Sequence, residues 1–276
     1  MDPATLEPWE LALTIQPILG PDVVVSHVSA ARIWGIPLSE NMTWVDHLLG
    51  EPPAFPRADH RPHLAFQDSR RNQSTRKFVM HRGVQLGPLL GPWEVPVMHP
   101  VETVVVLHHL LPGWRSVVAL DHLLATGLSY CAGTEPVSAQ EIAYHLSELR
   151  PGTRGLARIR AALPLAAPNV WSPMETVLRL ALVSQGITTP QANARVDLAG
   201  GRTAFIDLAW PENMVGVEYN GAIHYQDRHT YGDEMYRLNR LQDLGWRIRP
   251  VVAEDLRDAR RFRELVRWVK KALEAT

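Results

Sequence analysis

Between residues 204 and 221 the chain reads AFIDLAW, PENM, VGVEYNG: two apolar runs rich in strand formers, parted by a segment with the turn residues Pro and Asn. This pattern predicts a β-hairpin. With the turn centred on Glu212 and Asn213, Asp207 stands directly opposite Glu218, and period-two alternation sends Glu218 and Asn220 to one face and Val217 and Tyr219 to the other. Upstream, Ser172-Pro173-Met174-Glu175 supplies an N-cap, a first-turn proline and an N3 glutamate. Met174, Val177, Leu178, Ala181 and Leu182 then recur at helical spacing as one buried stripe. A strand over 193–198 follows, ending in the tight turn 199–202. Downstream, a helix over 230–244 turns Met235, Leu238 and Leu241 inward and groups Asp233, Arg237 and Arg240 on its polar face. Residues 246–252 form a strand placed at a sheet edge, because Pro250 lacks a ladder donor. A last helix over 255–275 buries Phe262, Val266, Val269 and Leu273.

The first half patterns differently. A helix over 8–19, an apolar strand over 23–25 and a short helix over 26–34, capped by Ser26 and closed by Gly35, form a small unit. The short helix is compatible with half of a helix-turn-helix and equally with a plain packing helix. Pro, Arg and His then dominate to residue 91, with strands over 63–66 and 77–81 joined by QDSRRNQSTR. Seven basic residues (Arg57, Arg61, Arg70, Arg71, Arg76, Lys77, Arg82) face two acids (Asp59, Asp68) in this stretch. A basic hairpin tip of this kind suits phosphate contacts, as in a winged DNA-binding unit; a solvated loop is the equal alternative. Helical periodicity returns over 101–111, 115–125, 138–149 and 155–163, with Ser138 and Glu141 as a capping box. Three domains follow: a small, winged-helix-like α+β unit over 1–95, a helical connector over 96–171 and a C-terminal domain over 172–276.

Composition narrows the class without naming it. A chain of 276 residues, 46% hydrophobic, with a net charge of −1, can bury a real core and carries no global basicity that would advertise nucleic acid. The single cysteine, Cys131, excludes an internal disulfide and a CxxC-type zinc site and fits a reducing cytoplasm. No apolar run approaches the roughly 18 residues of a membrane span, and the acidic start lacks the signature of a signal peptide, so a cytoplasmic location is expected. His108, His109 and His122 lack metal-site spacing and read as core or surface histidines. The opposed Asp207 and Glu218 are the unusual feature. Like charges about 4.5–5.5 Å apart across a strand pair destabilise it unless compensated. A divalent cation such as Mg2+ is the compensation carboxylates suit best, with a salt bridge to an Arg as the plainer alternative. The last helix adds seven basic residues against two acids over 257–271, a solvated face or, beside a metal, a track for a phosphate backbone.

The segments SPMETVLRLAL, FIDLAWPENMVGVEYNGAIH and DEMYRLNRLQDLGWRIR resemble the Vsr-like (very short patch repair endonuclease-like) domain of the PD-(D/E)XK restriction endonuclease superfamily, over roughly residues 172–256. More loosely, SHVSAARIWGIPL and the helices after Val101 are similar to the AbiEi-type antitoxin region, with Glu102 and Val106 where Arg and Asp are usual. The resemblance implies an α/β fold: a C-terminal restriction-endonuclease-like mixed sheet flanked by helices, preceded by a mostly helical α+β N-terminal domain. It implies a Mg2+- (or Mn2+-) dependent deoxyribonuclease acting on DNA phosphodiesters. Asp207 would be the central metal ligand and Glu218 the second acid. Glu175 would assist through the metal or a water, and His224 as general base or phosphate contact. Arg70, Arg71, Arg76, Arg237 and Arg240 are the expected DNA contacts. Asn220 departs from the pattern, standing where Lys or, in this subgroup, Asp is usual; its carbonyl can ligate or orient water but supplies no charge and no base. The structural zinc of true Vsr enzymes finds no ligands here, so mismatch repair is not implied. Two readings stand: a metal-dependent endonuclease, and a non-catalytic DNA-binding regulator of antitoxin type built on a degenerate nuclease domain. DNA is the expected partner and a membrane is not; a homodimer or a toxin–antitoxin-type partner is left open.

Overall fold

A computed structural model describes residues 6–54, 57–68, 75–128, 136–198, 201–221 and 228–275, with only the backbone over 228–234. The chain is a mixed α/β protein with two mixed sheets, the second toward the C-terminus. It divides into two compact units: Met1–Asn41 with Ala54–Pro168, and Met42–Pro53 with Asn169–Thr276. The expected segments 1–95 and 96–171 therefore share one unit, and a short stretch around 42–53 belongs with the C-terminal one. No described helix is long and apolar enough to cross a membrane.

In the first unit, α1 (Pro8–Leu19) precedes β1 (Val23–Val25) and α2 (His27–Ile33). The all-valine β1 is fully buried at the centre of the sheet, whose order is β3-β2-β1-β5-β4 with β2 (His63–Phe66), β3 (Val79–Arg82), β4 (Leu89–Leu90) and β5 (Pro96–Val97). One expectation is corrected here. β2 and β3 pair in parallel, His63 with Val79 and Phe66 with Arg82, so the basic segment between them is a crossover and not a hairpin tip. Parallel neighbours need a connection of about a dozen residues, which the length of this segment permits. Arg70 and Arg71 lie outside the described residues, while Arg76 is exposed.

The helical layer comprises α3 (Pro100–Val106), α4 (Trp114–Thr126), α5 (Ala139–Glu148), capped by Ser138 and Glu141 as expected, and α6 (Leu156–Ala162). The helix expected over 101–111 stops at Val106. At Gly155 (φ +92) a Cβ would lie 2.4 Å from the Val105 carbonyl oxygen, so only glycine lets the chain pass the end of α3 so closely. Glu102, fully buried, accepts from the backbone N–H groups of Gln85 and Leu86 (2.9 and 3.0 Å). His122 is bonded through Nε2 to the Trp34 carbonyl at 2.9 Å, a structural role.

In the second unit, α7 (Pro173–Ser184) starts where Ser172 accepts from the Glu175 N–H, and its Val177, Leu178, Ala181 and Leu182 are buried. The sheet runs β6 (Gln191–Leu198), β7 (Arg202–Trp210), β8 (Val215–Tyr219), β9 (Arg247–Val251) in that order. The first three strands are antiparallel and β9 joins β8 in parallel. The intervening α8 (Arg228–Asp243) is the crossover, and Pro250 sits on the edge strand as its missing donor requires. Leu241 of α8 packs with Ala194, Ala204, Ile206 and Ala209. Gly216 is compulsory in this core, since a Cβ there would approach Ile206 to 2.6 Å and Ile248 to 2.7 Å. Two details differ from expectation. Met235 is exposed instead of inward-facing, and the last helix is two, α9 (Ala253–Arg257) and α10 (Ala259–Glu274). The break falls at Asp258, which leaves helical geometry (ψ 113) to accept from the N–H groups of Arg260 and Arg261 as an N-cap.

Candidate active site

The turn at Pro211–Asn213 sets the register of the hairpin: Leu208 pairs with Val217, Ala209 with Gly216 and Trp210 with Val215. Continued by one residue, this register places Asp207 opposite Glu218, as the sequence predicts. On the other side, Ala192 pairs with Leu208 and Ala194 with Ile206, so Asn193 occupies the position opposite Asp207 on β6. One row of the sheet thus holds Asn193, Asp207 and Glu218.

At this row β7 and β8 part. Beyond Asp207 the two strands no longer share ladder bonds, and side chains take over the released backbone groups. The Tyr219 N–H donates to Asp207 Oδ2 at 2.8 Å, and Arg237 from α8 donates through Nη1 to the Phe205 carbonyl at 2.9 Å. The same guanidinium grips Glu218 with both forks, Nη1 to Oε1 and Nη2 to Oε2 at 2.7 Å each. Glu218 is almost wholly buried, so this bidentate pair is its principal compensation. Arg237, an expected DNA contact, reaches from α8 to the sheet and bonds Glu218 and the Phe205 carbonyl.

Glu175, also buried, turns its Oε2 back to the Trp171 N–H (3.0 Å) and to Asn193 Nδ2. Asn193 Nδ2 also donates to the Asn169 carbonyl (2.8 Å), and Asn169 Nδ2 returns a bond to the Asn193 carbonyl (3.1 Å). Asn193 holds a positive φ of 43, a conformation that costs energy for any residue with a Cβ. The sequence reading missed this residue. The turn alone does not give it: centred on Gly200 and Gly201 the count sets Ala194 against Asp207, whereas the register found, Leu198 with Arg202, is one residue shorter.

The electrostatics converge on Asp207. Burial pushes its carboxyl up from 3.8 to about 7; Glu175 and Glu218 push the same way, against the Tyr219 N–H and Arg237. Near neutral pH this acid is poised between its two forms, chiefly because burial disfavours its charge. Hard oxygen donors short of a counter-charge suit a divalent cation. Mg2+ in particular binds through one or two carboxylates and keeps several waters. Asp207 fits that description, whereas both oxygens of Glu218 already accept from Arg237; among the described residues no group of three or more His, Cys, Asp or Glu side chains is arranged to enclose a metal. Asn220 follows β8 directly, its N–H donating to the Val251 carbonyl at 2.8 Å. His224 and the side chain of Asp233 lie outside the described residues. Arg240 sits over the Tyr236 ring, 5.0 Å from its centroid.

No family model matches the chain, and no solved structure matches it. Two proteins of Mycobacterium tuberculosis are similar to it: the uncharacterized proteins MT2308 (strain CDC 1551 / Oshkosh) and Rv2248 (strain ATCC 25618 / H37Rv). Each is 30% identical over 158 residues, covering 57% of this chain and 55% of its own length. The chain thus spans about half the length of the curated relatives it matches.

Proposed function

We propose that the C-terminal unit is a metal-dependent DNA endonuclease of PD-(D/E)XK type that hydrolyses phosphodiester bonds, in a cytoplasmic protein whose partner is DNA. The observation that carries this reading is the poised acid: Asp207 lies opposite Glu218 across a parted strand pair, its carboxyl raised to about 7 by burial and by two neighbouring glutamates. Asp207 and Glu218 would hold Mg2+ or Mn2+, which when bound supplies a Lewis acid and an activated water. Arg237 fixes the orientation of the Glu218 carboxylate through its two-pronged bond, and Asn193 with the Trp171 N–H fixes that of Glu175. Asn220 offers a carbonyl oxygen that orients water, and His224 a base or a phosphate contact. The exposed Arg76 and Arg240 remain as phosphate contacts, along with Arg70 and Arg71.

A second reading, the non-catalytic DNA-binding regulator, draws on one specific feature. Glu218 is already neutralised from within by Arg237, and the residue at 220 is an amide. Incubating supercoiled plasmid with Mg2+ or Mn2+ separates the two. Nicking by the wild-type protein that disappears in Asp207→Ala supports the nuclease. An inert wild type whose Asn220→Asp variant nicks identifies the regulator reading as correct.

A further inference from the structure

Two aromatic rings stand in water beside the carboxylates. Trp171 is 56% and Phe205 39% exposed, and they meet edge to face with centroids 5.0 Å apart and planes at 61°. Neither ring is loosely placed. The Trp171 indole N–H donates to Asn169 Oδ1 at 2.9 Å, and its backbone N–H holds Glu175; the Phe205 carbonyl takes the guanidinium that grips Glu218. Both rings are therefore tied through their own backbones to two of the three acids. Arg195 pairs with Phe205 across the strands and is well exposed, in an ion pair with Asp197 at 3.0 Å.

Large apolar side chains left in water at a polar site cost free energy that a partner recovers. Two rings form too small an area for a protein interface, and on the endonuclease reading the molecule that reaches these acids is a nucleic acid strand. A nucleobase has a ring face to offer, worth a tenfold or greater effect per stacked base, but only when it is not stacked within a duplex. We infer that the Trp171–Phe205 pair is a stacking platform for an unpaired base of the strand entering the site, so that the substrate class is single-stranded or locally melted DNA. This deepens the endonuclease reading and rests on it.

The test is fluorescence anisotropy with the full chain, without metal, on a labelled single-stranded oligonucleotide and on a blunt duplex of the same length. Wild type is expected to favour the single strand. Trp171→Ala and Phe205→Leu are each expected to weaken single-strand binding about tenfold and duplex binding less than twofold, with Trp171→Phe restoring most of the affinity. Should Trp171→Ala fail to fold, the Phe205→Leu and Trp171→Phe pair carries the same comparison. Wild type without single-strand preference, or ring variants that weaken both ligands equally or neither, overturns the proposal. The two failures are distinguishable. Ring-dependent single-strand binding without any metal-dependent nicking sinks the nuclease reading alone; Asp207-dependent nicking with ring-independent binding sinks the platform alone.

Discussion

Asn193 and Arg237 support the acids around Asp207, and each makes a separable contribution. Asn193 bonds Glu175 while holding a left-handed φ. Asn193→Ala loses the bond and keeps the strain, whereas Asn193→Gly loses the bond and relieves it. Denaturant unfolding is expected to show Asn193→Ala destabilised by about 1–3 kcal/mol and Asn193→Gly by less; equal losses would mean the positive φ carries no strain. For Arg237, truncation strands a buried Glu218. Arg237→Met is expected to cost about 3–5 kcal/mol, and adding Glu218→Gln should recover a large part. A double variant no better than the single would place the worth of Arg237 in its bond to Phe205.

At the scale of elements, the C-terminal hairpin was legible because its register depends on local quantities: a turn type, strand formers and period two. That is why the pairing of Leu208 with Val217, which carries Asp207 and Glu218 toward one another, is readable from the turn. The parting of β7 and β8 was not legible. It arises where Asp207 and Arg237 replace ladder bonds, and Arg237 comes from a helix distant in sequence. For the same reason Arg237 read as a surface cation. The β2–β3 pairing failed for a related cause: two apolar runs joined by a polar loop look alike whether they pair directly or by crossover, and tertiary packing decides. The break at Asp258 was readable in principle, as Asp is a favoured N-cap, but the basic and apolar periodicity runs on across it. Trp171 and Phe205 went unremarked because exposure cannot be read from residue type.

At the scale of the whole molecule, the two units respond to pH in opposite senses. In the first unit, burial holds His27 and His63 below their ordinary 6.5 and brings His81 and His99 down to about 4. Three of these pack together, with the His27 and His81 rings stacked at 3.4 Å and His63 Nδ1 2.9 Å from His81 Nε2. Each is neutral when folded and protonates more readily when unfolded. Their contribution is complete above pH 6.5 and declines as pH falls toward 4. Asp207 behaves in reverse. With a carboxyl raised from 3.8 to about 7, it holds its proton better when folded, so stability falls as pH rises through that interval. Calorimetric scans from pH 7 to 5 should therefore lower the transition of the first unit, while Asp207→Asn should lessen the pH sensitivity of the second. Parallel movement of both transitions, unaffected by Asp207→Asn, would refute this assignment.

The most direct measurement is titration calorimetry of Mn2+ into the full chain at pH 7, in two buffers of different ionisation enthalpy, for wild type and Asp207→Asn. The account predicts a single bound ion accompanied by proton release, because Asp207 must ionise to receive it, and loss of both in the variant. Absence of binding by wild type, or binding that Asp207→Asn leaves unchanged, would contradict the metal centre and with it the nuclease.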